Sequence, residues 1–259
     1  MRRVRMGQLK PMGRTADIRV GTAGWSIPRA AAIRFDSAGT HLERYSRLLR
    51  CAEINSSFHR PHAAATYAKW RDSTPVDFRF AVKLPRTITH ELRLQDARQP
   101  FVTFLDQTDG LAEKRGPILV QLPPSLSFDP SVVTPFLDVV RQVYKGPMVC
   151  EPRHATWFTP AVASLLDRYR VSRVAADPAP VPEATVPAGW PRLAYFRLHG
   201  SPRKYWSRYD EDAIATLAAT VRSATAEEVW CVFDNTASGA AIENAWELRE
   251  RLVVDSPLG

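Results

Sequence analysis

Cys51-Ala52-Glu53-Ile54-Asn55 is a short apolar run that ends on polar residues. The stretch before it carries Leu42, Tyr45, Leu48 and Leu49 at helical spacing behind a capping Thr40. Ahead of that amphipathic helix stands a second run of the same kind, Ile18-Arg19-Val20-Gly21-Thr22, so the unit is strand, helix, strand. Six more runs end in the same way: Phe78 to Lys83, Ile118 to Gln121, Met148 to Glu151, Arg173 to Asp177, Ala194 to His199 and Val229 to Asn235. Helical patterns separate most of them, as parallel strands joined by crossover helices require. In a chain of 259 residues this predicts an α/β fold, a single (β/α)8 TIM-type barrel of parallel strands with an outer ring of helices.

Such a barrel keeps its chemistry at the carboxyl ends of the strands. There the runs deliver Glu53, Asn55, Lys83, Gln121, Glu151, Arg153, Asp177, Arg197, His199 and Asn235. The helical stretches fall at about 62 to 71 with Tyr67 and Trp70, at 101 to 111, and after Asp129 or Ser131 with Val132, Phe136, Val139, Val140 and Val143. Pro160 and Asp210 open two more, and Ser238-Gly239 precedes the last, which carries Ile242, Ala245, Trp246, Leu248 and Leu252. The longest connection, Pro85 to Arg115, is expected to form a lid or one wall of a pocket.

No apolar run reaches the roughly 18 residues of a membrane span, and no secretory signal pattern follows the basic start, so a cytoplasmic protein without membrane contact is expected. Cys51, Cys150 and Cys231 sit in apolar runs without metal or redox spacing and read as buried thiols. The net charge of +8 favours anionic partners. Much of it comes from Arg2, Arg3, Arg5, Lys10 and Arg14, so residues 1 to 16 are expected to form a flexible basic arm ahead of a barrel domain at 17 to 254.

Ordered motifs make the chain similar to the domain-of-unknown-function family 72, the YecE-like proteins. They are Gly21-Thr22-Ala23-Gly24-Trp25, Glu53-Ile54-Asn55-Ser56-Ser57-Phe58 with Pro61, and Phe80-Ala81-Val82-Lys83 with Ile88-Thr89-His90. Gln121-Leu122-Pro123-Pro124-Ser125, Glu151-Pro152-Arg153-His154 with Trp157, Arg197-Leu198-His199-Gly200 and Phe233-Asp234-Asn235 follow. The resemblance runs from about Ile18 to Leu252 and implies a TIM barrel, with no settled reaction to carry over. Phe58-His59 stands where the family commonly has Phe-Tyr, and Asp234-Asn235 where it has two asparagines.

Side-chain alternation sends Glu151 and Arg153 to one side of an extended backbone, and likewise Arg197 and His199. His199 and Glu151 are the candidate catalytic acid/base pair. Arg197, Arg153, Lys83, Glu53, Asn55, Asn235, Trp25, His154 and Gln121 are the candidate substrate-binding residues, with Gly200 admitting a ligand close to the backbone. Lys83 reads as a charge partner of Glu53 or Glu151, and its position also suits Schiff-base chemistry. The loop Asn235-Thr236-Ala237-Ser238-Gly239 is placed where barrels cradle phosphate, although Ser238 also suits a plain cap. Trp25, Phe58, Trp157, Tyr205 and Trp206 either stack a ligand or pack the loops.

The leading expectation is an enzyme for a small phosphorylated or otherwise anionic substrate. One alternative is a phosphoesterase or nuclease in which Glu53, Glu151, Asp177 and Asp234, with His154 or His199, hold a divalent metal. The other is a non-catalytic binder of nucleic acid or a metabolite that uses the basic arm. No cofactor is required by the sequence, and no metal-ligand set is assigned.

Overall fold

A computed structural model describes residues 16–254, so the expected basic arm lies outside the described residues apart from Ala16. The strands are β1 (Asp17–Ala23), β2 (Cys51–Ile54), β3 (Arg79–Lys83), β4 (Arg115–Gln121), β5 (Met148–Glu151), β6 (Val171–Arg173), β7 (Ala175–Asp177), β8 (Ala188–Gly189), β9 (Leu193–Leu198) and β10 (Glu228–Phe233). They form one sheet in the order β7-β9-β10-β1-β2-β3-β4-β5-β6-β8. The eight expected runs are all strands, yet the sheet has ten. The run expected at Arg173 to Asp177 is interrupted at Val174: its first residue ends β6, which starts earlier at Val171 and pairs with β5, and the rest forms β7, which pairs with β9. The extra strand, β8, is a two-residue antiparallel piece on β6, so the sheet is not wholly parallel. The chain itself closes the cylinder at Val174, whose N–H donates to the Cys150 carbonyl at 2.9 Å.

Strand alternation separates two apolar clusters. Cys51, Ala81, Leu119, Val149, Val174, Leu193, Tyr195, Trp230 and Val232 pack together as the filling of the cylinder. Their neighbours Ala52, Phe80, Val82, Ile118, Val120, Cys150, Phe196 and Cys231 belong to the larger cluster between strands and helices. Two residues beyond an inner member stand Glu53, Lys83, Gln121, Glu151, Arg197 and Asp234, so the inner face turns polar at its carboxyl end. At the other end Arg19 Nη2 meets Asp17 at 2.5 Å and Arg19 Nε meets Glu228 at 3.2 Å, while the Trp230 indole donates to Glu228 at 2.8 Å. Gly21 lets β1 and β2 approach, because a Cβ there would lie 2.0 Å from the Cys51 carbonyl oxygen.

The outer layer consists of α1 (His41–Ser46), α2 (Ser56–His59), α3 (Ala64–Asp72), α4 (Arg98–Thr108), α5 (Pro130–Val143), α6 (Pro160–Arg168), α7 (Glu211–Arg222) and α8 (Ala240–Val254). Local chemistry starts several of them. Thr40 and Glu43 form a reciprocal capping box on α1, Asp129 accepts from Ser131 N–H ahead of α5, and Asp210 accepts from Ala213 N–H ahead of α7. Helix α5 buries Val133, Phe136, Leu137 and Val140, one face at helical spacing.

No α-helix joins β7 to β9. The Pro-rich link forms a 3-10 turn at Pro182–Thr185 and then β8. A groove of about 510 Å³ lined by Ala175, Phe196, Leu198, Ile214 and Leu217 remains against α7. Among the described residues no helix is long and apolar enough to cross a membrane.

Candidate active site at the carboxyl rim

Arg197 organises the polar end of the cylinder. Its Nε lies 3.1 Å from both Glu53 oxygens and its Nη2 lies 2.7 Å from Glu53 Oε1. Its Nη1 donates to Glu151 Oε2 at 3.0 Å, and Nη2 also meets Asp234 Oδ2 at 2.9 Å. One guanidinium therefore serves three carboxylates from β2, β5 and the end of β10. Tyr195, two residues before Arg197 on the same face, donates its hydroxyl to Glu53 Oε2 at 2.8 Å. Parity with Arg197 was the signal that could have added Tyr195 to the site, and the same parity from Val232 brings Asp234 in as a neighbour of Arg197.

His199 lies between two of these acids. Its Nδ1 is 3.1 Å from Asp234 Oδ2, and its Nε2 is 2.9 Å from Glu151 Oε1. Arg153 Nη2 lies 2.9 Å from the same Nε2 and 2.6 Å from Glu151 Oε1. The guanidinium is always a donor. With Nε2 protonated, both groups donate to Glu151; with Nε2 bare, it accepts from Arg153. In both arrangements Asp234 accepts from Nδ1–H and fixes the ring, leaving Nε2 toward Glu151 and Arg153.

Glu151 and Asp234 are held ionised. Burial opposes the charge on Glu151, but Arg197 first, then His199 and Arg153, outweigh it and keep the carboxyl well below its usual range. Asp234 behaves alike: burial raises its pKa, and Arg197 and His199 lower it by more. Glu151 therefore remains a carboxylate and is no proton donor near neutral pH.

The network is enclosed, with Glu151 and His199 at 0% exposure and Arg197 at 1%. The Tyr205 ring stands edge-on to His199 at 5.5 Å, and Arg153 covers Nε2. Gly200, expected to admit a ligand, has its space filled by the chain, since a Cβ there would meet the Ser207 carbonyl oxygen at 2.6 Å. Its positive φ of 89° turns the segment 200–207 back over the histidine.

Lys83 ends β3 on the inner face, 9% exposed. It makes no direct ion pair with Glu53 or Glu151, whose oxygens Arg197 holds, and feels their charge only at a distance. The Lys83 ammonium instead lies 4.0 Å over the Phe58 ring, without a hydrogen bond. Burial pushes its pKa down to about 8, aided by Arg197 and resisted by Glu53, Glu151 and Asp234.

The other expected residues scatter. Trp25 packs edge-on to Trp70 at 5.0 Å and shares with Glu53, Asn55, Ser56 and His41 a cavity of about 340 Å³. Asn55 Oδ1 is sealed and unpartnered. Gln121 donates to the adjacent Leu122 carbonyl at 3.0 Å and stands apart from the network. His154 turns to its own segment, accepting from Thr156 N–H, and Asp177 accepts from the Tyr209 hydroxyl at 2.6 Å. Asn235 clasps the Ser207 carbonyl and Asn244 of α8. The loop after it already uses N–H groups internally: Ala237 donates to Tyr205, Gly239 to Thr236, Ala240 to Ser238 and Ala241 to Asn235. Trp157 is buried, its indole on the Leu126 carbonyl, whereas Tyr205 and Trp206 are each 46% exposed. The lid or wall expected between Pro85 and Arg115 contributes a wall, with His90 edge-on to Phe58 at 5.0 Å.

The donor set does not suit a metal. Among the described residues no three His, Cys, Asp or Glu side chains could jointly hold an ion, and the central carboxylates face guanidinium groups. The nucleic-acid alternative rests on the arm, outside the described residues.

Residues 19–257 match the family described as protein of unknown function DUF72. The UPF0759 protein YecE of Escherichia coli strain K12 is 32% identical over 106 residues, which cover 41% of this chain and 38% of that protein, and its O157:H7 counterpart matches equally. The aligned stretch thus spans well under half of these relatives. In structure, the chain is similar to a DUF72 family protein from Enterococcus faecalis V583, with TM-score 0.78, 23% identity and coverage of 92% and 96% of the two chains. A DUF72 family protein from Thermotoga maritima MSB8 gives TM-score 0.74 at 24% identity, covering 92% and 99%.

Proposed function

The chain belongs to the DUF72 family of unknown function, and from that premise we propose that it is an enzyme that transfers a proton to or from a small anionic substrate through His199. The observation that carries this reading is the fixed imidazole, with Asp234 on Nδ1 and both Glu151 and Arg153 on Nε2. Glu151 is the carboxylate that stabilises the imidazolium, and Asp234 sets the tautomer.

The anionic reading of the substrate is supported by two cationic groups of this end that lack an acceptor. Lys83 Nζ has no acceptor, and Arg153 Nε is sealed without one. The carboxylates, in contrast, are already engaged by Arg197. An incoming phosphate or carboxylate satisfies Lys83 and draws Arg153 off Nε2, which uncovers the histidine only when the anion is in place. Three free, buried thiols agree with a reducing compartment, the cytoplasm.

Two measurements test the reading. Inorganic phosphate raises the melting temperature of the protein, and Arg153→Ala abolishes that rise. In a mixture of phosphorylated and carboxylated sugars followed by mass spectrometry, the wild type depletes a component that His199→Gln leaves untouched. Equal depletion by a folded His199→Gln variant overturns the assignment.

A further inference from the structure

Lys83 is unlike the other buried lysine. The Lys114 ammonium donates to the carbonyls of Arg71 and Thr74 at 2.7 Å each and to Thr74 Oγ1 at 3.2 Å. Lys83, as enclosed as many core residues, has no acceptor at all. Its amine is not among the sealed atoms, so it still reaches solvent in the mouth. Glu53, Glu151 and Asp234 act on it only through space, because Arg197 takes the direct ion pairs with all three.

Below the amine lies the face of Phe58, buttressed edge-on by His90. An aromatic face attracts the cation yet accepts no directed N–H bond like that of an oxygen. The wall fixes the nitrogen in place while leaving its lone pair, once a proton departs, without a competitor. A group used only as a counter-charge would sit on a carboxylate. This one is held for its nitrogen.

We propose that Lys83 is a covalent catalytic residue, condensing its ε-amine with the aldehyde or ketone carbonyl of an anionic oxo substrate to form an imine. The inference rests on the anion-binding reading of the same mouth and narrows its substrate to oxo compounds that carry a phosphate or carboxylate. The amine lone pair forms a bond to the carbonyl carbon, and the two amine protons end on the former carbonyl oxygen. That oxygen leaves as water when the carbon–oxygen bond breaks and the C=N bond forms, with no change in oxidation state. Burial supports the chemistry: with the pKa lowered to about 8, roughly a tenth of the molecules carry the free amine at pH 7.

Reductive trapping decides the matter. The full chain is incubated with pyruvate or with dihydroxyacetone phosphate plus cyanoborohydride, and adducts are located by peptide mass spectrometry. Lys83 gains one adduct at least ten-fold faster than the exposed Lys69, Lys145 and Lys204 in the same tube, inorganic phosphate slows it, and Lys83→Arg lacks it. A Lys83 rate no greater than that of the exposed lysines overturns the proposal, and this comparison within the wild type needs no folded variant. Stabilisation by phosphate without an adduct removes the imine and leaves the anion site standing. The absence of both removes the two readings together.

Discussion

Arg197 is the residue on which the largest number of buried charges depends. Arg197→Met strips Glu53 of its guanidinium, leaves Glu151 with Arg153 and His199 and Asp234 with His199, and is expected to destabilise the fold by about 3–5 kcal/mol in urea unfolding. Tyr195→Phe, which removes one donor from Glu53, is expected to cost about 1–3 kcal/mol. Protonation acts on the same groups. Because Glu151 and Asp234 have lowered pKa values when folded, their stabilisation is complete above the unfolded carboxylate values near 4 and declines as the pH falls below them toward the folded values. The urea midpoint should therefore drop more steeply below about pH 4 in the wild type than in Glu151→Gln. Lys83 acts in the same direction at higher pH. Between its folded value of about 8 and its ordinary value of 10.5 the unfolded chain binds the extra proton, so stability gains with rising pH there, and Lys83→Met should lose that gain. At this scale the sequence was informative where alternation applies: Glu53, Glu151, Arg197 and His199 follow from the period of two. Lys83 is left without a direct ion pair because Arg197, far away in the chain, takes the carboxylate oxygens.

Elements were readable where burial on both faces produces an unbroken apolar run. Strand β5, flanked on each side by a parallel neighbour, shows this in Met148-Val149-Cys150-Glu151. Division of the sixth run was not readable, because Val174 is as apolar as a strand interior demands and the step depends on which neighbour each half meets. Strand β8, Ala188–Gly189, has only two residues and therefore no periodicity. The glycines after strands were also ambiguous: Gly200 fits a turn or a ligand, and the returning segment at Ser207 decided for the turn. Close approach between elements yields its own test. Gly21→Ala drives a methyl into the Cys51 carbonyl and should cost at the upper end of the roughly 1–3 kcal/mol of overpacking, read as a lowered urea midpoint with α1 and its capping box intact by circular dichroism.

For the whole molecule, closure depends on one covalent step between two short ladders. Val174→Pro removes the donor to Cys150 and should cost more than the about 1 kcal/mol of a single hydrogen bond, since β6 and β7 both lose their alignment. The carboxyl rim is tied by charges drawn from β2, β5, β9 and β10, and the opposite end by Arg19 with Asp17 and Glu228, so both ends are braced. The flank between β7 and β9 is braced by less, because a proline-rich ribbon takes the place of a crossover helix. Deuterium should enter the amides of β7 and β9 before those of β1 to β4. Heating would then open the cylinder sideways, along that thin wall, while the charged ring at its mouth still holds.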